Sequence, residues 1–346
     1  MINRLSTRNF TVLRKADVAF SQNLNVIVGE NGTGKTHLIK LLYSVLSAYS
    51  MARSSTRPLK QVLAEKLLRV FMPDRLGRLA TRTQGRARTT VDVHFDDKAS
   101  DISFSFATNN RDVRIGKSGA FASDRPVYFP AKELLSIFPN FASLYSEYHL
   151  PYDETYFDTI NLLGLPYAKG PRDSDPQNEV IGLIEDAIGG RIRLDPTGKA
   201  FHLLMKGETE RKGNMEIDLV AEGWRKLGML TQVVLNKALR DKGYLFWDEP
   251  EANLNPKLIH VVARAIFKIA TESKIQVFVT THSLFLLREL ELLSMQSGKE
   301  RQVRYIGIRA SGEIDQGDSS VALKTVSALD AEVAQADRIL CVGRPA

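Results

Sequence analysis

Eight residues constrain this chain more than any others. Residues 29–36 read Gly-Glu-Asn-Gly-Thr-Gly-Lys-Thr, a full G-x-x-x-x-G-K-[ST] pattern. An apolar run, Leu24 to Val28, precedes them, and a helix-like run, His37 to Ala48, follows. Strand, glycine-rich turn and helix in that order make an anion cradle. Glycine lets the backbone curl until its N–H groups converge, and the helix start adds its positive end. The spacing predicts a phosphate loop, with Lys35 reaching phosphate oxygens and the Thr36 hydroxyl on Mg²⁺. The expected nucleotide-binding set is therefore Gly29, Glu30, Asn31, Gly32, Thr33, Gly34, Lys35, Thr36 and His37. His37 enters only by its place directly after the loop; its ring is assigned no chemistry.

Two later segments supply carboxylates and a histidine. Tyr244-Leu245-Phe246-Trp247 is followed by Asp248, Glu249 and Pro250. A strand that ends at an acidic turn is common, and the phosphate loop is what gives this one meaning. Asp248 is expected to hold Mg²⁺, directly or through water. Glu249 is expected to polarise the attacking water as a general base. Farther on, Val277-Phe278-Val279-Thr280-Thr281 reads as a buried strand with His282 just past its end. Strand carboxyl ends line the ligand crevice of parallel α/β sheets, so His282 is placed to donate to a γ-phosphate or orient water. Lys35, Glu249 and His282 form the expected catalytic set. His94, His149, His202 and His260 have no such placement.

Composition narrows the setting. At 346 residues and 43% hydrophobic content the chain can bury a large core. A single cysteine, Cys341, precludes an intrachain disulfide and fits a reducing cytoplasm. No cysteine pair or histidine cluster has zinc spacing. No apolar run approaches the ~18 residues of a membrane span, and no signal-peptide core is visible. A cytoplasmic protein without a membrane partner is expected.

Charge is concentrated. Between Arg53 and Arg88 stand Arg57, Lys60, Lys66, Arg69, Arg75, Arg78, Arg82 and Arg86, against only Glu65 and Asp74. That window carries +8, whereas the whole chain carries +7. Its first part, Pro58 to Met72, has helical spacing with Leu59, Val62, Leu63, Leu67, Val70 and Phe71 as a buried stripe. Its second part, Arg75 to Arg88, reads as a loop or extended arm. Clustered Arg and Lys point to a nucleic-acid contact; an acidic protein partner or a solvated surface are the alternatives. Alternating strands follow at Thr89 to Phe95 and Ile102 to Phe106. Residues 131–190 read as mainly helical, with Phe141, Leu144, Tyr145 and Tyr148 as a core face.

These motifs carry a resemblance. The chain resembles an ABC-type ATPase head of the RecF, SMC and OLD kind, over roughly residues 1–310. Asp248-Glu249-Pro250-Glu251-Ala252-Asn253-Leu254-Asn255-Pro256 resembles a Walker B motif with its D-loop. Thr281-His282-Ser283 resembles the switch histidine, and Val127 to Glu133 the strand and Q-loop position. The resemblance implies ATP and Mg²⁺ as cofactors and an ATP-dependent homodimer. It implies an α/β P-loop NTPase with a mixed-sheet core, an antiparallel β subdomain and a helical lobe. The implied division is 1–130 (first lobe, with a basic insertion at 51–88), 131–219 (helical lobe), 220–310 (signature, Walker B and switch core) and 311–346 (C-terminal segment).

One motif departs. The signature stretch reads Val220-Ala221-Glu222-Gly223-Trp224-Arg225-Lys226, with Ala221 where the family has serine. The resemblance makes Gly223 and Arg225 contacts to the partner's nucleotide, with Arg225 and Lys226 compensating in charge for the missing hydroxyl. No heptad arms separate the two halves of the ATPase. Arg338 to Gly343 resembles the first strand of a Toprim nuclease, but Arg344 stands where an acid is expected. The combined expectation is an ATPase whose dimerisation controls contact with nucleic acid or a separately encoded effector, in defence against phage or plasmids. A RecF-like repair ATPase and an ATP-bound scaffold that restrains a toxin or nuclease are the alternatives.

Overall fold

The chain opens with a hairpin, β1 (Ile2–Phe10) and β2 (Leu13–Ala19), and continues through β3 (Leu24–Gly29), α1 (Lys35–Arg53) and α2 (Leu59–Phe71). Next come β4 (Arg88–Phe95), β5 (Ile102–Ala107), β6 (Arg114–Ser118) and the short β7 (Val127–Phe129). Helices α3 (Phe138–Glu147), α4 (Glu154–Leu163) and α5 (Pro176–Ile188) precede β8 (Gly190–Leu194), β9 (Phe201–Met205) and β10 (Asn214–Glu216). Then follow α6 (Glu222–Leu235), β11 (Tyr244–Asp248), α7 (Pro256–Glu272), β12 (Gln276–Thr281), α8 (Leu284–Gln296), β13 (Val303–Ile308) and β14 (Ile314–Gly317). This computed structural model describes residues 1–81, 87–119, 125–148, 150–168, 176–208, 214–239 and 243–323, with 334, 335, 337 and 338. Arg82, Arg86, His149, Cys341, Arg344 and most of the Toprim-like run lie outside the described residues.

The site is positioned by a six-stranded sheet in the order β14-β13-β3-β12-β11-β7, parallel except at β14. Strands β3, β11 and β12 are buried at every position, as a parallel strand covered on both faces must be. Their alternate side chains enter two cores. Val26, Leu245, Trp247, Val277 and Val279 pack toward α4, α6 and α7. Ile27, Phe246, Phe278 and Ile306 pack toward α1 and an antiparallel sheet ordered β2-β1-β4-β5-β6. Where the two sheets meet, the buried Gln276 amide accepts from Ile2 N at 2.9 Å and donates to Ile2 O at 2.6 Å. Strands β4 and β5 alternate buried and part-exposed residues, leaving one face of their sheet to solvent. A third sheet, β10-β9-β8, lies beside the helical lobe.

The basic window is partly neutralised from within. Lys66 is not a surface cation: it is buried and ion-paired with Glu154 (3.1 Å) and Asp158 of α4. Arg69 reaches Glu154 at 3.4 Å, and Arg57 pairs with Glu65. The same knot extends to the helix behind the phosphate loop, where Tyr43 donates to Asp158 at 2.6 Å and Lys40 pairs with Asp153 at 2.7 Å. The expected arm is also corrected in its first part. Leu76, Leu79 and Ala80 are buried, and Ala80 bridges Phe10.

The aromatic face of α3 is only half core. Phe141 is buried and stacks on Tyr145, which stacks on Phe157. Leu144 and Tyr148 are exposed. Non-helical Pro139 and Asn140 kink the helix, and Tyr148 already lies in extended conformation beyond its end. The single-face reading fails because the helix ends before Tyr148 and turns Leu144 to solvent.

Candidate nucleotide site

The loop between β3 and α1 is shaped by backbone that only glycine adopts freely. Gly34, at φ +106°, turns the chain into α1, and a Cβ there would stand 2.7 Å from Val12 Cγ2. Gly29 ends β3, and Glu30, Asn31 and Gly32 form an exposed crest. Thr33 is buried and donates its hydroxyl to Glu30 O at 3.0 Å. Lys35 folds beneath the crest, donating to Gly29 O at 2.8 Å and Glu30 O at 3.0 Å. Burial lowers its pKa, opposed by Glu249, Asp248 and Glu251. The His37 ring is engaged by its own chain: Nδ1 meets Thr11 Oγ1 at 3.0 Å and the ring packs edge-on to Phe71.

Asp248 closes the other side. It is the last residue of β11, in register with Thr280 of β12. The Thr36 hydroxyl sits 2.9 and 3.0 Å from its two carboxylate oxygens, and Thr280 donates to it at 2.5 Å. Burial raises the Asp248 carboxyl above the usual range, opposed by those two hydroxyls. The donor set fits Mg²⁺. Neighbouring oxygens of an octahedron with ligands at about 2.1 Å stand about 3.0 Å apart, which is the Thr36–Asp248 spacing. Among the described residues no cluster of three His, Cys, Asp or Glu could hold a metal alone. The remaining ligands would have to come from phosphate and water, as Mg²⁺ prefers.

Glu249 turns away from the strand by adopting φ 45°, unusual for a residue with a Cβ. Its N–H is held by Thr280 O and Thr280 Oγ1, both at 3.1 Å. The turned side chain meets His282, Nδ1 to Oε1 at 3.1 Å. A second carboxylate supports this pair. Glu251 is buried and accepts from Thr281 Oγ1 at 2.6 Å and from His282 N at 3.3 Å. Its other oxygen is buried without a hydrogen-bond partner among the described residues. Burial raises this carboxyl as well. Lys35, Thr36, Asp248, Glu249 and His282 are thus assembled within one chain, across more than 200 residues of sequence.

The signature stretch is arranged differently. Ala221 caps α6 without a side-chain hydrogen bond. Gly223 packs on the D-loop of its own chain; a Cβ there would lie 2.9 Å from Leu254 Cδ2 and 3.1 Å from Leu258 Cδ1. Arg225 forms an ion pair with Glu133 at 3.1 Å and donates to Ile217 O at 3.4 Å. Lys226 corrects an expectation: it does not face outward as compensating charge. It is buried and donates to Ala131 O (2.7 Å), Glu249 O (2.7 Å) and Ala252 O (3.2 Å). Burial pushes its pKa down to about 8, against the pull of Glu251, Glu222, Glu249 and Asp248. Three carbonyl acceptors match the three donors of an ammonium. Sequence reading missed the roles of Thr280, Glu251 and Lys226. Register reveals the first, and only tertiary contact reveals the other two.

Comparison with known proteins identifies a family and a fold. A family model described as "AAA domain, putative AbiEii toxin, Type IV TA system" matches residues 24–288. The DNA replication and repair protein RecF of Lactobacillus acidophilus is 38% identical over 58 residues, and that of Halalkalibacterium halodurans 38% over 60. Each match covers 17% of this chain and 16% of the RecF chain. An SMC head solved with the C-winged helix domain of ScpA superposes with a TM-score of 0.58 at 16% identity, over 93% of this chain and 99% of that one. The Smc head with an extended coiled coil, bound to the C-terminal domain of ScpA derived from Pyrococcus furiosus, gives 0.52 at 14%, over 91% and 95%. The chain belongs to the AAA-domain family described as "putative AbiEii toxin, Type IV TA system", with the fold of an ABC-type ATPase head of the RecF/SMC class.

Proposed function

We propose that the chain binds ATP with Mg²⁺ and hydrolyses it, and that ATP holds two copies together. The observation that carries this reading is the meeting of the Thr36 hydroxyl with both oxygens of Asp248, beside the Glu249–His282 pair. Bound Mg²⁺ would neutralise charge on the β- and γ-phosphates. Lys35 would exchange its loop carbonyls for phosphate oxygens. Glu249 would take a proton from the attacking water as the bond to the ADP oxygen breaks. His282 would hold Glu249 by one oxygen, leaving the other for that proton. Gly223 and Arg225 would complete the nucleotide site of the partner copy.

The dimer would control contact with nucleic acid or a separately encoded effector. RecF's name ties it to DNA, and the SMC heads were solved with part of ScpA bound; these motivate the two partner classes. The family description motivates a role in cytoplasmic defence against phage or plasmids. No helix among the described residues is long and apolar enough to cross a membrane. A second reading, an ATP-bound scaffold with little turnover that restrains a partner toxin or nuclease, is favoured by Ala221 and by the Arg225–Glu133 pair.

Nucleotide binding and turnover test the chemistry together. Lys35→Ala should abolish tight ATP binding. Glu249→Gln should keep binding and lower turnover by roughly 10²–10⁴, the share of a general base. Hydrolysis by Glu249→Gln at the wild-type rate would overturn the catalytic assignment.

A further inference from the structure

Nothing in the nucleotide site uses the solvent face of the antiparallel sheet. There Lys15 of β2 lies opposite Arg8 of β1, Arg8 opposite Thr90 of β4, Thr90 opposite Ser105 of β5, and Ser105 opposite Arg114 of β6. Directly opposed residues project from the same face, so one row crosses all five strands. Arg8, Lys15 and Arg114 are exposed, and Thr90 and Ser105 are partly so. Arg88, two residues before Thr90 on β4, is exposed and donates to Ser105 Oγ at 3.4 Å. The band holds four cations and two hydroxyls without an acid. Among the described residues none of the four cations is ion-paired. The adjacent row, Asp17–Ser6–Asp92–Ser103–Lys117, holds two acids and one cation, with Asp17 engaged by Arg4. The face is therefore uneven in charge, basic in the row of Arg8, Lys15 and Arg114 and mixed in the row beside it.

We propose that this band binds the sugar–phosphate backbone of duplex nucleic acid without reading its bases. Strands stand about 4.8 Å apart, so the row is about 19 Å long. That length matches five to six base pairs at about 3.4 Å each. Arg, Lys, Ser and Thr are the side chains that contact phosphate oxygens. None of the exposed large apolar or aromatic side chains belongs to the band. It therefore offers single strands no stacking platform and a protein partner no buried anchor. Arg8, Lys15 and Arg114 lie outside the run of charge at 53–88 and come together only through strand register. The proposal rests on the reading that the chain engages nucleic acid and does not depend on ATP hydrolysis.

Fluorescence anisotropy with a labelled 20-base-pair duplex, titrated from 50 to 200 mM salt, tests it on the full chain. Arg8→Gln, Lys15→Gln and Arg114→Gln together remove three phosphate contacts. The slope of log K against log salt should flatten by about 2.7, at ~0.9 per contact. Duplexes of unrelated sequence should bind alike. A control with Lys199, Lys274 and Arg301 changed to Gln loses the same net charge at other exposed positions and should keep the wild-type slope. Thermal melts that coincide with wild type exclude misfolding. If wild type binds no duplex at 50 mM salt, the nucleic-acid reading itself falls. If wild type binds but the triple variant keeps its slope, or the control loses as much, the placement on this sheet is wrong. Tighter binding to a single strand of the same length would overturn the duplex assignment.

Discussion

The two halves of an ATP site are present in this chain in different states of readiness. The half that would hold nucleotide in the same chain is assembled: Lys35 lies under the loop, Thr36 meets Asp248, and Glu249 meets His282. The half that would serve a partner is occupied by internal contacts. Gly223 packs on the D-loop, Arg225 is paired with Glu133, and Lys226 is buried. The first half needs only ligand. The second must present a surface whose charged members are already committed. On the proposed reading, turnover would be governed by how readily the second half is completed.

Breaking the join between the halves should have the largest effect. Lys226 ties α6 to the carbonyls of Glu249 and Ala252. Lys226→Met leaves three buried carbonyls short of a donor and should cost about 3 kcal/mol of stability, read as a fall in urea midpoint. It should also remove a pH signature. The folded Lys226 pKa of about 8 lies below the ordinary lysine value of 10.5, so between those values the unfolded chain binds a proton that the fold does not. Stability from this group therefore rises with pH across that window, by up to about 1.4 kcal/mol per unit. Lys226→Met should flatten that rise; an unchanged pH profile would argue against the buried ammonium.

A smaller effect should come from completing the second half. Ala221 is exposed at the start of α6, and Ala221→Ser adds a hydroxyl there. A hydrogen bond to a charged group contributes about 1.5–3 kcal/mol, so ATP-dependent dimerisation in the Glu249→Gln background should tighten roughly ten- to a hundred-fold for each of its two composite sites. Sedimentation would measure it. No change in dimer affinity would mean that this residue does not face a partner's phosphate.

The smallest expected shift concerns the first half without ligand. Burial raises the Asp248 carboxyl, so its contribution to stability is present below the unfolded carboxylate pKa and is lost as pH rises through the folded value. At neutral pH Asp248→Asn should then stabilise the nucleotide-free protein by about 1 kcal/mol, a rise of roughly 1–2 °C in melting temperature. It should also remove Mg²⁺-dependent hydrolysis. A lower melting temperature would show that the Thr36 and Thr280 hydroxyls outweigh burial.

Sequence made the local motifs legible because each is contiguous. A glycine turn between strand and helix, and acids at the end of an apolar run, need no tertiary knowledge. Register was not legible. Thr280 read as one β-branched residue in a strand, yet its hydroxyl faces Asp248 because β11 and β12 pair in parallel there. The charge run misled for the same reason: Lys66 is neutralised by Glu154 and Asp158, about ninety residues away. Tyr148 read as core, but α3 ends at Glu147 and the extended backbone at Tyr148 takes its ring out to solvent.

The knot of Lys66, Glu154, Asp158, Tyr43, Lys40 and Asp153 has a mechanical meaning. Lys40 and Tyr43 grip α4 within the first turns of the helix that begins at the phosphate loop. Both contacts tie α1 to α4, which the buried Lys66 pairs tie in turn to α2. The near end of α1 cannot tilt alone. A displacement imposed on the loop by nucleotide would carry α2 and α4 with it, so the helical lobe would serve as the loading arm of a lever whose handle is the nucleotide.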